Sequence, residues 1–336
     1  MPASDERKNP QVSVVVPTFN RCESLRRLLD ALACQTYPAT DFEVVVVDDG
    51  STDGTNQMLE QLDLPYTLRR LWQANCGPAV ARNRGVAAAR GELIVFLDDD
   101  VVPLPELLAE HVAAHGDSSD LVVIGPMSPP ADWPRPVWVR WEEAMLLAQY
   151  RAMLAGEYPC TARQFYTGNA SLPRARFLDA GGFDGTFRRA EDVELAYRLR
   201  DRGARFLFSP RADVKHFASR SFAAWCRTPY QYGRYDVTMA RDKGHEAFAC
   251  AVHEFHGRHP LNRLLARLCV GRQPLVTGAM VVLRTVALAA PRLGVSVAAS
   301  FALSAIFNLL YWQAVSDELG GRTPMWRAIA MAAPAQ

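Results

Sequence analysis

The sequence lacks the features that would place it in several specialised classes of protein. Its seven cysteines are scattered singly without a C-x-x-C pair, so we expect neither a disulfide framework nor a zinc site. The 37 basic and 36 acidic residues give a net charge of +1, without the basic excess of nucleic-acid-binding proteins. The opening residues MPASDERKNP contain no apolar run, so no signal peptide is expected. We therefore predict a cytoplasmic protein that binds no nucleic acid.

The composition is that of an ordinary folded protein. Hydrophobic residues make up 49% and charged residues 22% of the 336 residues, which argues against wholesale disorder and against a polytopic membrane protein. This length is enough for two compact units, or for one large domain with an appendage. The sequence contains no internal repeat and no low-complexity tract.

Segments typical of strands and of helices alternate through residues 12–124. The predicted strands are Val12–Val16, Val44–Val47, Tyr66–Leu71, Leu93–Leu97 and Leu121–Ile124. The predicted helices between them are Leu25–Leu32, Thr55–Leu62, Pro78–Ala89 and Pro105–His115. This alternation predicts right-handed βαβ units and a mostly parallel sheet of the α/β class, with ligands at the carboxyl ends of the strands.

Polar clusters follow three of the predicted strands, at residues 17–20, 48–53 and 98–100. In the last cluster three adjacent aspartates repel one another unless a cation or hydrogen-bond donors compensate their charge. Carboxylates suit Mg²⁺ or Mn²⁺ bound to a diphosphate. A solvated acidic loop that caps the next helix is the alternative, but the position at a strand's carboxyl end favours a metal site. The cluster at 48–53 is also typical of a tight turn, so alone it indicates little.

Four segments together resemble a family-2 glycosyltransferase of the GT-A fold. They are VSVVVPTFNR (Val12–Arg21), FEVVVVDDGSTDGT (Phe42–Thr55), GPAVARNRGVAAARGELIVFLDDDVVP (Gly77–Pro103) and the segment from TGNASLPR to GGFDGTFRRAEDVELAYRLRDRG (Thr167–Gly203). The resemblance runs from Val12 to about Arg234. It implies a Rossmann-like, mostly parallel central sheet flanked by helices, followed by a helical C-terminal region.

The resemblance also implies how the chain is divided. We expect an N-terminal tail at 1–11, a nucleotide-sugar-binding half at 12–124, an acceptor and catalytic half at 125–235, and a helical, membrane-associated region at 236–336. The pattern within Gly125–Tyr158 is irregular, with five prolines between residues 125 and 136 and three tryptophans.

Position by position, the resemblance implies a donor site and a catalytic group. Asp49 would accept a hydrogen bond from uracil or an equivalent base, Asp98 would lie toward the ribose, and Asp192 would be the general base. The implied nucleotide-sugar-binding residues are Pro17, Thr18, Asn20, Asp49, Ser51, Arg82, Asp98, Asp99, Gly168, Asn169, Glu191 and Arg234. A UDP-sugar is the favoured donor.

The resemblance implies a divalent cation, Mn²⁺ or Mg²⁺, held by Asp100 and His216. A lone histidine is more often a structural residue, so the ligand role of His216 depends on the resemblance alone. The cation would stabilise the departing diphosphate while a carboxylate takes the acceptor's proton in a single inverting displacement. Because Asp192 follows Glu191 at a predicted helix start, we expect the helix dipole to favour its charged form. Acidic residues are also common in a helix's first turn, without any catalytic role.

Other residues have weaker functional interpretations. Trp133, Trp138 and Trp141 would form an aromatic platform for an acceptor sugar, although tryptophans more often anchor a core or a loop. Arg234 would belong to a mobile loop over the diphosphate. The sequence after Trp225 lacks the Q-x-x-R-W of processive polysaccharide synthases, which favours the transfer of one sugar, or very few, to a glycan, a lipid-linked or a small-molecule hydroxyl.

Three other classes of function compete with this interpretation. A sugar nucleotidyltransferase would normally have a glycine-rich basic loop after the first strand, where this chain has PTFNR. A catalytically inactive scaffold would not need Asp100 and Asp192. A dinucleotide oxidoreductase is disfavoured because G-x-G-x-x-G does not follow the first strand.

The last eighty residues carry a different pattern. Four leucines, Leu261, Leu264, Leu265 and Leu268, have helical spacing, with Arg263 and Arg267 on the opposite face, as in a basic helix lying in a membrane interface. Leu293–Ser316 is uncharged and long enough to cross a bilayer. Because a spanning hairpin would have to bury Arg284, we expect in-plane or packed helices at the membrane face. A soluble helical subdomain, or an oligomer interface, is the alternative.

Overall fold

A computed structural model describes residues 10–187 and 189–332 of the chain. Its contacts divide the chain into two compact units, the first formed by residues up to 133 with 146–218, the second by 134–145 with the residues from 219 onward. This division differs from the expected boundary after residue 235, because residues 222–243 form one continuous helix. Residues 1–9 of the predicted N-terminal tail lie outside the described residues.

The first unit is built on a seven-stranded sheet of order β3-β2-β1-β4-β8-β6-β9. Its strands are β1 (Val12–Thr18), β2 (Phe42–Asp48), β3 (Thr67–Trp72), β4 (Leu93–Leu97), β6 (Leu121–Ile124), β8 (Asn169–Pro173) and β9 (Arg205–Phe208). Neighbouring strands are parallel, except that β8 runs antiparallel to both β4 and β6. The mostly parallel sheet predicted from the alternation of segments is therefore confirmed.

Helices flank this sheet. They are α1 (Cys22–Leu32), α2 (Thr55–Gln61), α3 (Pro78–Ala88), α4 (Leu107–His115), α6 (Arg174–Asp179) and α7 (Glu191–Asp201), with a 3₁₀ turn at Ala162–Gln164. The segment expected to be irregular contains an eighteen-residue helix, α5 (Val137–Leu154), whose first part groups with the second unit. The prolines and tryptophans of that segment made it look irregular in the sequence. The prolines all precede the first turn of the helix, however, where proline does not interrupt helical hydrogen bonds.

The core of the first unit explains why these segments fold in this way. The β-branched residues of β1, β2 and β4 are buried on both faces, as in the central strands of parallel sheets. Leucines of α1 at 25, 28, 29 and 32 pack into the same cluster. Gly85 lets α3 approach the sheet closely, because a Cβ there would lie 2.5 Å from Val15 Cγ1. This packing brings the carboxyl ends of β1, β2 and β4 to one edge of the sheet.

A small second sheet extends that edge. Its order is β5-β10-β7, formed by β5 (Val101–Pro103), β10 (Val214–His216) and β7 (Met127–Ser128). Strand β5 begins directly after the three aspartates, and His216 pairs with Val101 across an antiparallel ladder. The ladder therefore fixes His216 next to Asp100, although 116 positions separate the two residues along the chain.

The second unit is helical. It contains α8 (Phe222–Lys243), α9 (Ala247–Gly257), α10 (Pro260–Cys269), α11 (Gln273–Ala289), a 3₁₀ turn (Ala290–Leu293), α12 (Ser296–Glu318) and α13 (Arg322–Ala332). Helices α8, α10 and α11 pack against α12. Among the described residues, Gln273–Leu293 and Ser296–Glu318 are long and apolar enough to cross a membrane, by length and composition only.

Candidate active site

The candidate site lies at the carboxyl ends of β1, β2 and β4. The loops after β1 and β2 are joined by two hydrogen bonds: the Asn20 amide donates to Ser51 Oγ at 2.9 Å, and the Thr52 amide donates to Asn20 Oδ1 at 2.8 Å. Asn20 has a φ of +52°, a left-handed conformation that asparagine tolerates better than most residues. Asn20 and Ser51, both predicted to bind the nucleotide, therefore first shape the loop that would receive it.

Asp49 is buried at the end of β2, and three donors hold its carboxylate. Gln73 Nε2 and the Cys76 amide donate to Oδ1 at 2.7 and 2.9 Å, and the Gly77 amide donates to Oδ2 at 2.8 Å. These bonds fix the carboxylate next to the turn that starts α3. Oδ1 already accepts two hydrogen bonds, but Oδ2 accepts only one and has a second lone pair, so Asp49 retains the capacity to accept a hydrogen bond from a base.

Asp99 faces the loop that follows β1. The hydroxyl of Thr18 donates to its Oδ2 at 2.8 Å, and Arg21 Nη1 lies 3.2 Å from its Oδ1. Burial raises the pKa of Asp99 to about 7, and the neighbouring Asp100 adds to the shift, although the Arg21 charge opposes it. Pro17 precedes Thr18 and is also a residue of β1. Asp99 thus ties two loops of the site together.

Asp100 lies beside His216, with Oδ1 3.6 Å from Nε2, and its other oxygen accepts a hydrogen bond from Arg21. Burial by itself would raise the pKa of Asp100, but the neighbouring His216 and the hydrogen-bonded Arg21 together lower it below its ordinary value. The carboxyl is therefore ionised at neutral pH. The two residues predicted as metal ligands are side by side.

A carboxylate and an imidazole form a donor set that suits Mn²⁺ and Mg²⁺ only when other ligands complete the coordination. Within residues 10–187 and 189–332, no group of three or more His, Cys, Asp and Glu side chains is placed to hold a metal ion by itself. Diphosphate oxygens are the chemically appropriate complement to the pair formed by Asp100 and His216. The residues present therefore fit a cation that is bound together with a diphosphate.

Arg82 joins the acidic cluster to the start of α7. Its Nη2 donates to Asp98 Oδ1 at 2.6 Å, and its Nη1 donates to Glu191 Oε1 at 2.9 Å. Burial would lower the pKa of Arg82, but the two carboxylates outweigh it and raise the pKa, so the guanidinium is charged. Arg82 is only 4% exposed. Arg82 and Glu191, both predicted to contact the donor, hold each other and Asp98 in place.

Asp192 is the first-turn residue of α7 that follows Glu191. The residue before the helix, Ala190, has a φ of +61°, a conformation that costs a non-glycine residue roughly 1–3 kcal/mol and is found most often at functional sites. Burial, followed by the Glu191 charge, raises the pKa of Asp192 to about 7. The expectation that the helix dipole keeps Asp192 in its charged form is therefore wrong. Desolvation of the carboxylate outweighs the 2.8 Å hydrogen bond that the Val193 amide donates to Oδ1.

Gly168 and Asn169 have different roles at the start of β8. A Cβ on Gly168 would lie 2.7 Å from Met127 Sδ and 3.0 Å from Asp98 Oδ2, so only glycine leaves room beside that carboxylate. Asn169 is fully buried, and its Nδ2 donates to the carbonyls of Pro126 and Ala212 at 2.9 and 2.7 Å. The side chain of Asn169 therefore holds two backbone segments in place. Donor binding at Gly168 and Asn169, which the resemblance implies, stays a prediction.

The three tryptophans pack as structural anchors. Trp133, in the first unit, packs edge-on against Phe217 with ring centroids 5.1 Å apart. In the second unit Trp141 packs edge-on against Trp225, and Trp138 Nε1 donates to the Arg220 carbonyl at 2.9 Å. These contacts agree with the alternative given in the sequence analysis, that the tryptophans anchor a core or a loop.

Arg234 does not lie in a loop. It is in the middle of α8, where its Nε donates to Glu318 Oε2 of α12 at 3.2 Å. The preceding glycine permits this arrangement, because a Cβ on Gly233 would lie 2.2 Å from the Tyr311 carbonyl oxygen. The predicted loop over the diphosphate is therefore wrong, since the helix continues through both Pro229 and Gly233.

Two site residues were not singled out from the sequence. Arg21, which contacts Asp99 and Asp100, follows the PTFN segment directly and could have been found as the only charged residue of that loop. Gln73, which donates to Asp49, carries no pattern that identifies it.

Comparison with known proteins places the chain in a family. The model of glycosyl transferase family 2 matches residues 13–212, more than half of the chain. The chain belongs to this family, and the predicted family membership is confirmed. Validoxylamine A glucosyltransferase of Streptomyces hygroscopicus subsp. jinggangensis is 35% identical over 223 residues, which cover 58% of this chain and 52% of that protein. The chain thus spans about half the length of this curated relative.

Two solved structures show the same fold. Staphylococcus aureus TarS 1-349 in complex with UDP has a TM-score of 0.55 and 21% identity, covering 90% of each chain. The mannosyltransferase PcManGT from Pyrobaculum calidifontis, in complex with GDP-Man and Mn²⁺, has a TM-score of 0.57 and 22% identity, covering 96% of this chain and 79% of that one. At this identity the likeness concerns the fold alone. It confirms the GT-A architecture with a C-terminal helical region.

Proposed function

We propose that the chain transfers a single sugar from a nucleotide-diphosphate sugar to an acceptor hydroxyl by inverting direct displacement. The observation that carries this proposal is the link through Arg82 between the aspartates after β4 and the first turn of α7. It unites a candidate diphosphate and metal site with a carboxylate, Asp192, whose pKa is near neutrality. A displacement of this kind needs both parts within one site.

The donor would bind at the ends of β1 and β2. Asp49 offers a fixed, buried carboxylate for the N–H of a base, and the loop containing Thr18 and Asn20 would cradle the nucleotide. Because the Asp98 side chain is 35% exposed, its carboxylate is accessible to a ribose hydroxyl. A UDP-sugar is our proposed donor, in keeping with the UDP that one similar structure contains.

Asp100 and His216 would hold a divalent cation, Mn²⁺ or Mg²⁺. When bound, such a cation supplies Lewis-acid stabilisation of the charge that develops on the departing diphosphate. Arg21 contributes a fixed positive charge to the same cluster, through its contacts with Asp99 and Asp100. The Mn²⁺ in another similar structure supports the choice of cation.

Asp192 would accept the proton of the attacking hydroxyl. A general base works best when its pKa is near the working pH, because it is then both ionised and basic enough to take a proton. The burial that raises the pKa of Asp192 to about 7 meets this requirement. Asp192 must be deprotonated to act, so turnover should fall as the pH drops below about 7.

The acceptor is proposed to be the hydroxyl of a glycan, a lipid-linked or a small molecule in polysaccharide or glycoconjugate biosynthesis. We place the reaction in the cytoplasm, at the inner face of the cell membrane. The cysteines are scattered singly along the sequence without a C-x-x-C pair, which is in keeping with a reducing compartment. An oligomer formed through the C-terminal helices is the alternative use of that region.

Release of UDP from a UDP-sugar tests the proposal against an inactive scaffold and against a nucleotidyltransferase. We expect slow release with Mn²⁺, water being the acceptor, and its loss on addition of EDTA. Asp192→Asn should lower the rate by roughly 10²–10⁴ while it leaves UDP binding intact. Formation of UTP from UDP-sugar and pyrophosphate would instead identify a nucleotidyltransferase, and binding without turnover would identify a scaffold.

A further inference from the structure

Helix α10 has its apolar side turned to the outside. Leu261, Leu264 and Leu268 are 55%, 51% and 50% exposed. The buried side of the helix consists instead of the small residues Ala266 and Cys269, with Asn262. Asn262 Nδ2 donates to Ser304 Oγ of α12 at 3.1 Å, which fixes the side that faces the unit's interior. A helix of a water-exposed surface normally shows the opposite arrangement.

Helix α11 repeats this arrangement. Val276 and Ala287 are buried, whereas Leu275, Val281 and Val282 are exposed, the two valines by more than 60%. Only two residues of α11 are buried, against twelve residues of α12, so α12 is a core helix and α11 is not. Because α10 and α11 both pack on α12, their outer sides are the exposed ones. We define the α10–α11 face as Leu261, Leu264, Leu268, Leu275, Val281 and Val282.

The charged residues within the segment that carries this face have one sign. Between Phe255 and Ser316 the sequence contains no aspartate or glutamate, and it contains six arginines: Arg258, Arg263, Arg267, Arg272, Arg284 and Arg292. Exposed apolar residues in a continuous patch indicate an interaction surface, and a surrounding positive charge indicates an anionic partner.

We propose that the α10–α11 face docks on an anionic phospholipid surface, with the two helices lying in the plane of the interface. This specifies the membrane location proposed above and rests on it only for the choice of leaflet. Leucine and valine side chains would enter the acyl region, and the arginines would meet lipid phosphates, as in interfacial amphipathic helices. Spanning is disfavoured because Arg284 and Arg292 would have to enter the hydrocarbon core.

A second copy of the chain fits the same surface less well. A twofold dimer brings the same patch of both subunits together, so the arginines would face their own copies. The segment that carries the face offers no carboxylate to neutralise them. A phospholipid surface supplies both the apolar layer and the negative charge.

Vesicle flotation with the full chain tests the proposal without any sugar donor, so its outcome is independent of the proposed reaction. We expect the protein to float with vesicles that contain phosphatidylglycerol, to float poorly with pure phosphatidylcholine, and to be released by salt. Leu264→Ser with Val281→Ser should weaken binding by about tenfold for each side chain removed. Arg267→Gln with Arg292→Gln should weaken it by about fivefold for each charge, on the anionic vesicles only.

Matched controls keep the result interpretable. Leu178→Ser with Leu207→Ser removes two exposed leucines of the first unit, and Arg140→Gln with Arg151→Gln removes two exposed arginines of α5. Neither pair should change flotation. Absence of flotation with anionic vesicles, or equal losses in the control variants, would overturn the proposal. So would a dimer in sedimentation velocity that Leu264→Ser with Val281→Ser dissociates, since the face would then be a subunit interface.

Discussion

Arg82 and Glu191 lie 109 positions apart along the chain and meet in the interior through a 2.9 Å hydrogen bond. One residue comes from the helix that follows β3, and the other opens the helix that carries the candidate base. With Asp98 on its other side, the guanidinium is shared by two carboxylates. The pair therefore determines where the first turn of α7 lies relative to the aspartates after β4.

Replacing Arg82 should destabilise the protein strongly. Arg82→Met leaves Glu191 buried without its partner, and we expect the free energy of unfolding to fall by about 3 kcal/mol, measured with urea. Arg82→Met with Glu191→Gln should recover part of this loss, because the uncompensated charge is gone. Arg84→Met, which changes an exposed arginine of the same helix, serves as the control and should be nearly neutral. Equal effects of the two single variants would contradict a structural role for the pair.

Removing the carboxylate of Asp100 should abolish the dependence of donor binding on metal. A hard divalent cation loses a charged ligand, so titration calorimetry of Asp100→Ala should show UDP binding that is the same with and without Mn²⁺. Asp63→Asn, at an exposed position of the first unit, should bind like the unmodified protein. Unchanged Mn²⁺-dependent affinity in Asp100→Ala would exclude Asp100 as a ligand.

Gly233 should be essential to the packing of α8 on α12. Because a Cβ there would lie 2.2 Å from a backbone oxygen, Gly233→Ala must shift a helix, and we expect a loss of about 1–3 kcal/mol in unfolding free energy. Gly278→Ala, in the open middle of α11, should instead stabilise by about 0.5–1 kcal/mol. Thermal unfolding of the two variants distinguishes a packing effect from helix propensity, and shifts of the same sign would refute the packing argument.

Two buried histidines should make stability depend on pH. His111 lies between Asn169 Oδ1 and Ser171 Oγ, and His115 lies 2.8 Å from the same hydroxyl. Burial lowers the pKa of each from 6.5 to about 4. As the pH falls, the unfolded chain therefore binds protons at these histidines before the folded chain does. Their contribution to the free energy of unfolding is fully present above pH 6.5 and is lost as the pH falls toward 4. The loss is about 1.4 kcal/mol per pH unit for each histidine.

Urea denaturation at a series of pH values checks this expectation. His111→Gln should make the slope between pH 6.5 and 4 shallower, since one of the two groups no longer titrates. His253→Gln, at an exposed position of α9, is the control and should leave the slope unchanged. If neither variant changes the slope of the free energy of unfolding against pH, other groups cause the loss of stability in acid.

The sequence was informative where local pattern and tertiary environment agree. Strand β4 is predicted and observed at the same bounds, Leu93–Leu97, because an apolar run between Gly91 and Asp98 leaves no alternative register. The aspartates after it, and the position of Asp192 at the start of α7, follow from the same local patterns together with the family resemblance. Their hydrogen-bond partners come from distant parts of the chain and could not be read locally.

The wrong expectations have a common physical cause. Arg234 was predicted to lie in a mobile loop, but α8 continues through Pro229 and Gly233, because packing against α12 outweighs their low helix propensity. The charged form of Asp192 was expected from the helix dipole, whereas desolvation, which depends on the surrounding fold, dominates.

The pH dependence of turnover tests the role of Asp192 most directly. With UDP release from a UDP-sugar in the presence of Mn²⁺ as the assay, we predict a rate that rises with an apparent pKa of about 7 and then levels off. In Asp192→Asn the residual rate should be lower by roughly 10²–10⁴ and should lack this limb. An acid limb near pH 7 that persists in Asp192→Asn with little loss of rate would contradict the assignment of Asp192 as the base.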